Sequence, residues 1–214
     1  MKILSVVSIV FLLLGCVIVG AKEFNDNLSL LGKIIVIDAG HGGKDPGTNY
    51  KDIYEKDINL NVAIFLEKEL AKKGASVVMT RTGDYDLSSP NARYRKKSDF
   101  DNRINIINDS KADLYISLHI NYLNDSRYKG IQVFYLNNDK DAMKLQDSLN
   151  KDLSSNREAK KMSQSYYMYD KLNVPGFLIE CGFLSNPSER NKLITEGYQK
   201  AIAQAIANGI EKIF

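Results

Sequence analysis

Residues 34–55 read IIVIDAGHGGKDPGTNYKDIYE, and the rest of the chain is organised around them. Four β-favouring residues, Ile34 to Ile37, run through Asp38 into a glycine-dense turn. That pattern predicts a buried strand with a loop at its carboxyl end. His41 stands in the loop among Gly40, Gly42, Gly43 and Gly47, which permit tight turns and leave room around the imidazole. Glu55 follows at the start of a helical pattern. The second of the two histidines, His119, also closes an apolar run, LYISLHIN. A third run, GFLIECGF, carries Glu180 directly after Phe177 to Ile179. Three strands therefore each end in a residue able to bind a ligand, and a helix start supplies a fourth. Ligands of open α/β sheets bind outside the carboxyl ends of the strands, so His41, Glu55, His119 and Glu180 form the candidate site.

Downstream of that stretch, Ile58, Val62, Phe65, Leu66 and Leu70 recur at helical spacing. Glu55 lies three residues before Ile58 and falls on the same, sheet-facing side. Gly74 ends this helix, and Ala75 to Thr80 (ASVVMT) is a second strand, completing a βαβ unit whose hand is almost always right. Thr82 to Asp99 reads as a long polar loop with a basic cluster, Arg93 to Lys97. Loops of that length are usually functional lids or unstructured. The cluster's default is a solvated face; a grip on anionic polymer or a protein partner is the alternative. A short helix over Phe100 to Asn108, strands at Leu114 to Leu118 and Ile131 to Leu136, and a helix over Asp141 to Leu153 follow. Phe177 to Ile179 is a late strand, Asn186-Pro187 opens another helix, and Ile202, Ile206, Ile210 and Ile213 mark the last.

At 214 residues and 44% hydrophobic, the chain can bury one full core, and a net charge of +3 gives no argument for nucleic acid. Its two cysteines, Cys16 and Cys181, cannot build a disulfide framework, because Cys16 sits in an N-terminal segment of separate character. Residues 1–21 place one lysine before an apolar run ending Val19-Gly20-Ala21. Three readings stay open: a cleaved secretory signal, a retained membrane anchor, and a lipoprotein signal at Cys16, which the apolar residues after the cysteine fit poorly. Each puts the folded part outside the cytoplasmic membrane, with membrane contact only through this segment where it is uncleaved. Residues 22–32 then form a linker and 33–214 one domain.

Zinc accepts imidazole nitrogen and carboxylate oxygen, and catalytic sites combine three protein ligands with a water. His41, Glu55 and His119 would supply such a set, leaving Glu180 as the carboxylate able to act as base and then acid. Its apolar neighbours predict a carboxyl pKa raised by desolvation. Asp38 is a candidate acceptor to orient a ligand imidazole. The alternatives are structural histidines after strands, and for Glu55 an ordinary solvated acid at a helix start. Spacing alone leaves these open. Cys181 reads as buried and inert rather than reactive, and Tyr166, Tyr167 and Tyr169 as core rather than a surface that stacks on sugar or peptide.

IVIDAGHGGKDPGT, YEKDINLNVA, ISLHIN and PGFLIECGFLSNP, with TRTGDYDLS and RINIINDSKADLYIS between them, resemble the zinc-dependent N-acetylmuramoyl-L-alanine amidases of the Amidase_3 type. The resemblance runs from Lys33 to Phe214 with its motifs in order. It implies a single α/β domain with a mixed, mostly parallel central sheet flanked by helices. It implies His41, Glu55 and His119 as zinc ligands, Glu180 as the catalytic glutamate, and hydrolysis of the bond joining N-acetylmuramic acid to L-alanine in peptidoglycan. The short catalytic domain, the single N-terminal apolar segment and the basic insert resemble the sporulation and germination subgroup, which trims spore-cortex stem peptides for muramic-δ-lactam formation. A vegetative autolysin or cell-separation amidase is the competing reading. An amidase that needs an activating accessory protein, or a binding module without turnover, are the others.

Overall fold

The computed structural model describes residues 28–214. Strand β1 (Ile34–Ala39) is central, and the residues that alternate along it divide the molecule. Ile35, Ile37 and Ala39 face one core; Val36 and Asp38 face the other side. After β1 come a two-stranded hairpin, β2 (Asn49–Tyr50) with β3 (Ile53–Tyr54), then helix α1 (Glu55–Lys72) and strand β4 (Ser76–Met79), which returns parallel to β1. Helix α2 (Arg95–Asp109) leads to β5 (Leu114–Asn121), parallel to β1 on its other edge. Strand β6 (Gln132–Tyr135) and helix α3 (Asp139–Leu153) precede a two-residue strand, β7 (Lys160–Lys161). Strand β8 (Gly176–Phe183) inserts between β5 and β6, parallel to the first and antiparallel to the second. The sheet order is β4-β1-β5-β8-β6-β7, a mostly parallel mixed sheet. Helices α4 (Pro187–Leu193) and α5 (Glu196–Glu211) complete a single α/β domain.

Helices α1, α3 and α5 bury the larger core against one face, with Val62, Leu66, Leu145, Leu149, Ile202 and Ile206 fully enclosed. On the other face α2 and the segment around Met168–Tyr169 pack on Val36 and Tyr115. That second layer is thinner and carries the polar residues.

Several boundaries differ from the sequence reading. Helix α2 starts at Arg95, five residues earlier than predicted, so Arg95 to Lys97 belong to a helix. Ion pairs at i,i+4, Lys97 with Asp101 and Asp99 with Arg103, support these polar turns where hydrophobic periodicity is absent. The preceding loop is pinned, with Asp84 holding Lys56 and the Gly43 amide, Asp86 holding Arg95, and Asp99 accepting from the Leu87 amide. The β2–β3 hairpin and β7 lie in stretches too short to show a period. Strands β5 and β8 run past His119 and Glu180, which pair with each other across the sheet rather than ending it. A bulge directly after this pair shifts the register so that Asn121 meets Phe183. No helix among the described residues is long and apolar enough to cross a membrane, and the signal, anchor and lipoprotein readings fall on residues outside them.

The second layer is fastened by charge. Arg103 of α2, 2% exposed, donates to Asp38 Oδ1 at 2.6 Å and to Asp99 at 2.8 Å. Burial alone would raise the pKa of Asp38, but the Arg103 charge and the Ser117 hydrogen bond hold it below its ordinary value. The stabilisation is therefore present above the ordinary carboxylate pKa and lost as pH falls through the lower, folded one. Replacing Arg103 by Met strands Asp38 in the interior, and urea unfolding should show a loss of about 3–5 kcal/mol; a loss below about 1 kcal/mol would contradict this pairing.

Candidate metal and catalytic site

The four candidate residues meet at the carboxyl end of β1, β5 and β8. His41 leaves β1 with φ +62°, a left-handed conformation that L-residues adopt at a cost, so the surroundings must hold it. Arg81, 1% exposed, donates to the carbonyls of Ala39, Gly40 and Lys56, and Arg103 donates to those of Ala39 and His41. Asn59 adds a bond to the Gly40 carbonyl. The carbonyls of Ala39, Gly40 and His41 are thereby all held by buried side chains.

The first turn of α1 brings Glu55 beneath this loop. It is 3% exposed, which excludes the ordinary solvated acid. Its Oε1 lies 3.2 Å from His41 Nε2 and 3.0 Å from His119 Nδ1, and accepts from the Ile120 amide at 3.0 Å. One donor atom from each of His41, Glu55 and His119 lies within 4.8 Å of the other two. The two imidazoles are nearly perpendicular, 83° apart with centroids 5.0 Å from each other.

Two glycines make this convergence sterically allowed. A Cβ on Gly47 would stand 2.5 Å from Glu55 Oε2 and 2.7 Å from His41 Cδ2. A Cβ on Gly40 would stand 2.4 Å from His119 Cε1. Two nitrogens and a carboxylate oxygen drawn into one cradle fit a zinc ion, whose catalytic sites use this donor set.

The supporting residues differ from the sequence reading in one respect. Asp38 touches no imidazole: it accepts from Thr80, Ser117 and Arg103. It reaches His119 only through a chain, Ser117 Oγ to Tyr169 OH at 3.1 Å and Tyr169 OH to His119 Nε2 at 3.4 Å. Outside the donor set itself, the acceptor that touches an imidazole is Asp45, 2.9 Å from His41 Nδ1 and braced by the Gly47 amide. Its place four residues after His41, in the same glycine turn, was the available signal. For Arg103 the signal was a cation beside Ile104 and Ile107 on an inward face. Arg81 gave none, and Tyr169 was legible only as a core residue.

Electrostatically the two glutamates are opposites. Burial would raise Glu55, but bonds to His119 and His41 keep its pKa well below the ordinary value. Burial opposes charge on His41, yet Asp45 and Glu55 outweigh it and raise its pKa to about 9. Glu180, the register partner of His119, is pushed up to about 8 by burial and the nearby Glu55 charge, as the sequence led us to expect. Its Oε2 is buried without a hydrogen-bond partner. Cys181, on the opposite face, is 1% exposed and burial raises its thiol pKa, so it is an inert core residue. Tyr169 is buried as expected, whereas Tyr166 and Tyr167 are exposed and border the cavity of about 210 Å³ that holds His41 and His119.

The Amidase_3 model, N-acetylmuramoyl-L-alanine amidase, matches residues 35–212. The chain is 40% identical over 195 residues to the germination-specific N-acetylmuramoyl-L-alanine amidase of Bacillus subtilis, covering 88% of this chain and 82% of that one. It is 34% identical over 203 residues to the probable cell wall amidase LytH of Staphylococcus aureus, covering 91% of this chain and 62% of LytH. Among solved structures it is similar to the CwlD amidase from Clostridioides difficile in complex with the GerS lipoprotein, with TM-score 0.78 and 39% identity over 85% of this chain and 98% of that one. A sheet of this topology, these four side chains at its carboxyl end and a family match over nearly every described residue lead to one statement: the chain belongs to the N-acetylmuramoyl-L-alanine amidase family.

Proposed function

We propose that the chain is a zinc-dependent amidase that cleaves N-acetylmuramic acid from the L-alanine of peptidoglycan stem peptides, acting in the spore cortex to allow muramic-δ-lactam formation and germination. The observation that carries this is the convergence of His41, Glu55 and His119 within 4.8 Å, with Glu180 paired beside His119. The germination role is supported by the 40% identical relative of that name. Similarity to LytH supports the alternative of a vegetative wall amidase. The solved CwlD amidase has a lipoprotein bound, which supports an accessory protein for this chain too. The enzyme would act outside the cytoplasmic membrane, in the wall or between the forespore membranes.

His41, Glu55 and His119 would hold the zinc, which when bound would supply Lewis acidity toward a carbonyl and a lowered pKa for water. Asp45 fixes the ring of His41, and the Tyr169–Ser117–Asp38 chain borders that of His119. Glu180 moves the proton. Burial and the Glu55 charge push its carboxyl up to about 8, and the positive charge of a bound zinc would lower it from there, so that it could take up and release a proton near neutral pH. It accepts one from the attacking water and gives it to the leaving nitrogen of L-alanine.

Mass spectrometry of muropeptides should show peptide-free muramic acid after digestion with zinc-loaded protein. Glu180→Gln should lower that release by roughly 10²–10⁴-fold with zinc content unchanged; cleavage at the normal rate by the variant would refute the mechanism. With His41 at about 9, a proton occupies the cluster at pH 7 and must leave when zinc binds. Zinc affinity should therefore weaken as pH falls below about 9. Calorimetry in buffers of different ionisation enthalpy should report proton release, and identical heats in all buffers would count against it.

A further inference from the structure

The proton role of Glu180 fixes which way a substrate amide lies. If Glu180 serves the leaving nitrogen, the amino-acid side of the bond departs past Glu180. Glu180 opens into a cavity of about 300 Å³ lined also by Asn121, Phe134, Lys160, Lys161, Ser163 and Leu178. This cavity adjoins the one holding His41 and His119, and the two share Tyr166 and Leu178.

Register places a cation on that path. Lys160 of β7 pairs with Phe134 of β6, Phe134 pairs with Leu178 of β8, and Leu178 lies two residues before Glu180. Side chains in one row, or two residues apart, share a face of a sheet. Lys160 therefore stands on the face of His119 and Glu180, two strand spacings from β8, roughly 10 Å. Lys161 pairs with Tyr135, so it starts from the opposite face of the strand, yet it also lines this cavity at its rim and is the second cation there. Lys160 forms no ion pair among the described residues, whereas Arg95, Lys97 and Arg103 each have a carboxylate. One or two extended residues beyond a scissile bond span about 3.3–7 Å, so an acidic group there comes within reach of a lysine side chain.

We propose that Lys160 is a specificity residue that binds a free carboxylate of the stem peptide, an inference that rests on the amidase reading above. Peptidoglycan stems follow L-alanine with a glutamate joined through its side chain, which leaves the α-carboxyl free or amidated. The carboxylate accepts a charge-assisted hydrogen bond from the ammonium group; a carboxamide has no charge to offer. A lysine that only guards a sheet edge against strand addition would be indifferent to this difference.

The test is steady-state kinetics of the zinc-loaded full chain on two muramyl tripeptides that differ only in that group, free or amidated. The wild type should show a KM roughly two- to fivefold lower for the free carboxylate, with little change in kcat. Lys160→Met should give both substrates the same KM, and Lys160→Arg should restore the preference. Equal KM values in the wild type, or a preference that survives Lys160→Met, would overturn the assignment while leaving the amidase intact. Cleavage of neither substrate by the wild type would overturn the amidase reading and this inference with it.

Discussion

The structure depends on how the backbone is held where β1 ends. Beyond Asp38 the chain leaves the sheet, and the carbonyls of Ala39, Gly40 and His41 need other partners. Two buried guanidinium groups supply them. Buried polar groups left unpaired are costly, and a guanidinium offers five donors in a fixed plane. Arg103 has its charge balanced by Asp38 and Asp99. Arg81 is enclosed by carbonyls instead, and burial together with the Arg103 charge lowers its pKa. This clamp fixes the left-handed backbone of His41, and through it the direction of one imidazole. The same Asp38 that balances Arg103 leads through Ser117 and Tyr169 to the other imidazole. Fold stability and site geometry are therefore carried by one network.

The second governing feature is the separation of two glutamates by environment. Glu55 accepts from an amide and lies against two imidazoles, which favours its ionised form. Glu180 has one oxygen buried without a partner and feels the Glu55 charge, which favours its protonated form. Environments that push two titratable groups apart assign their roles. Under the proposed function, one joins the histidines as a donor set and the other carries a proton. Strand register places them, since His119 and Glu180 are paired and the bulge immediately after them turns the chain away.

Much of this was legible from residues alone. The apolar run before His41, the periodicity after Glu55 and the strand containing Glu180 placed the main elements and brought the four candidate residues to one end of the sheet. Glu55 was legible because its spacing from Ile58 put it on an inward helix face. Less legible were features set by long-range partners. Arg81 and Arg103 are surface-type residues whose burial follows from carbonyls far away in sequence. Helix α2 begins among charges that show no hydrophobic period, and β7 exists only because β6 offers an edge. Asp38 looked suited to touch an imidazole, yet the alternation of β1 aims it at α2 instead.

The most direct test of the account is zinc X-ray absorption spectroscopy on protein loaded with one equivalent of the metal. The account predicts two imidazoles and oxygen donors around zinc, with one imidazole lost in His41→Ala. A sulfur ligand, or the same two-imidazole spectrum in His41→Ala, would contradict it.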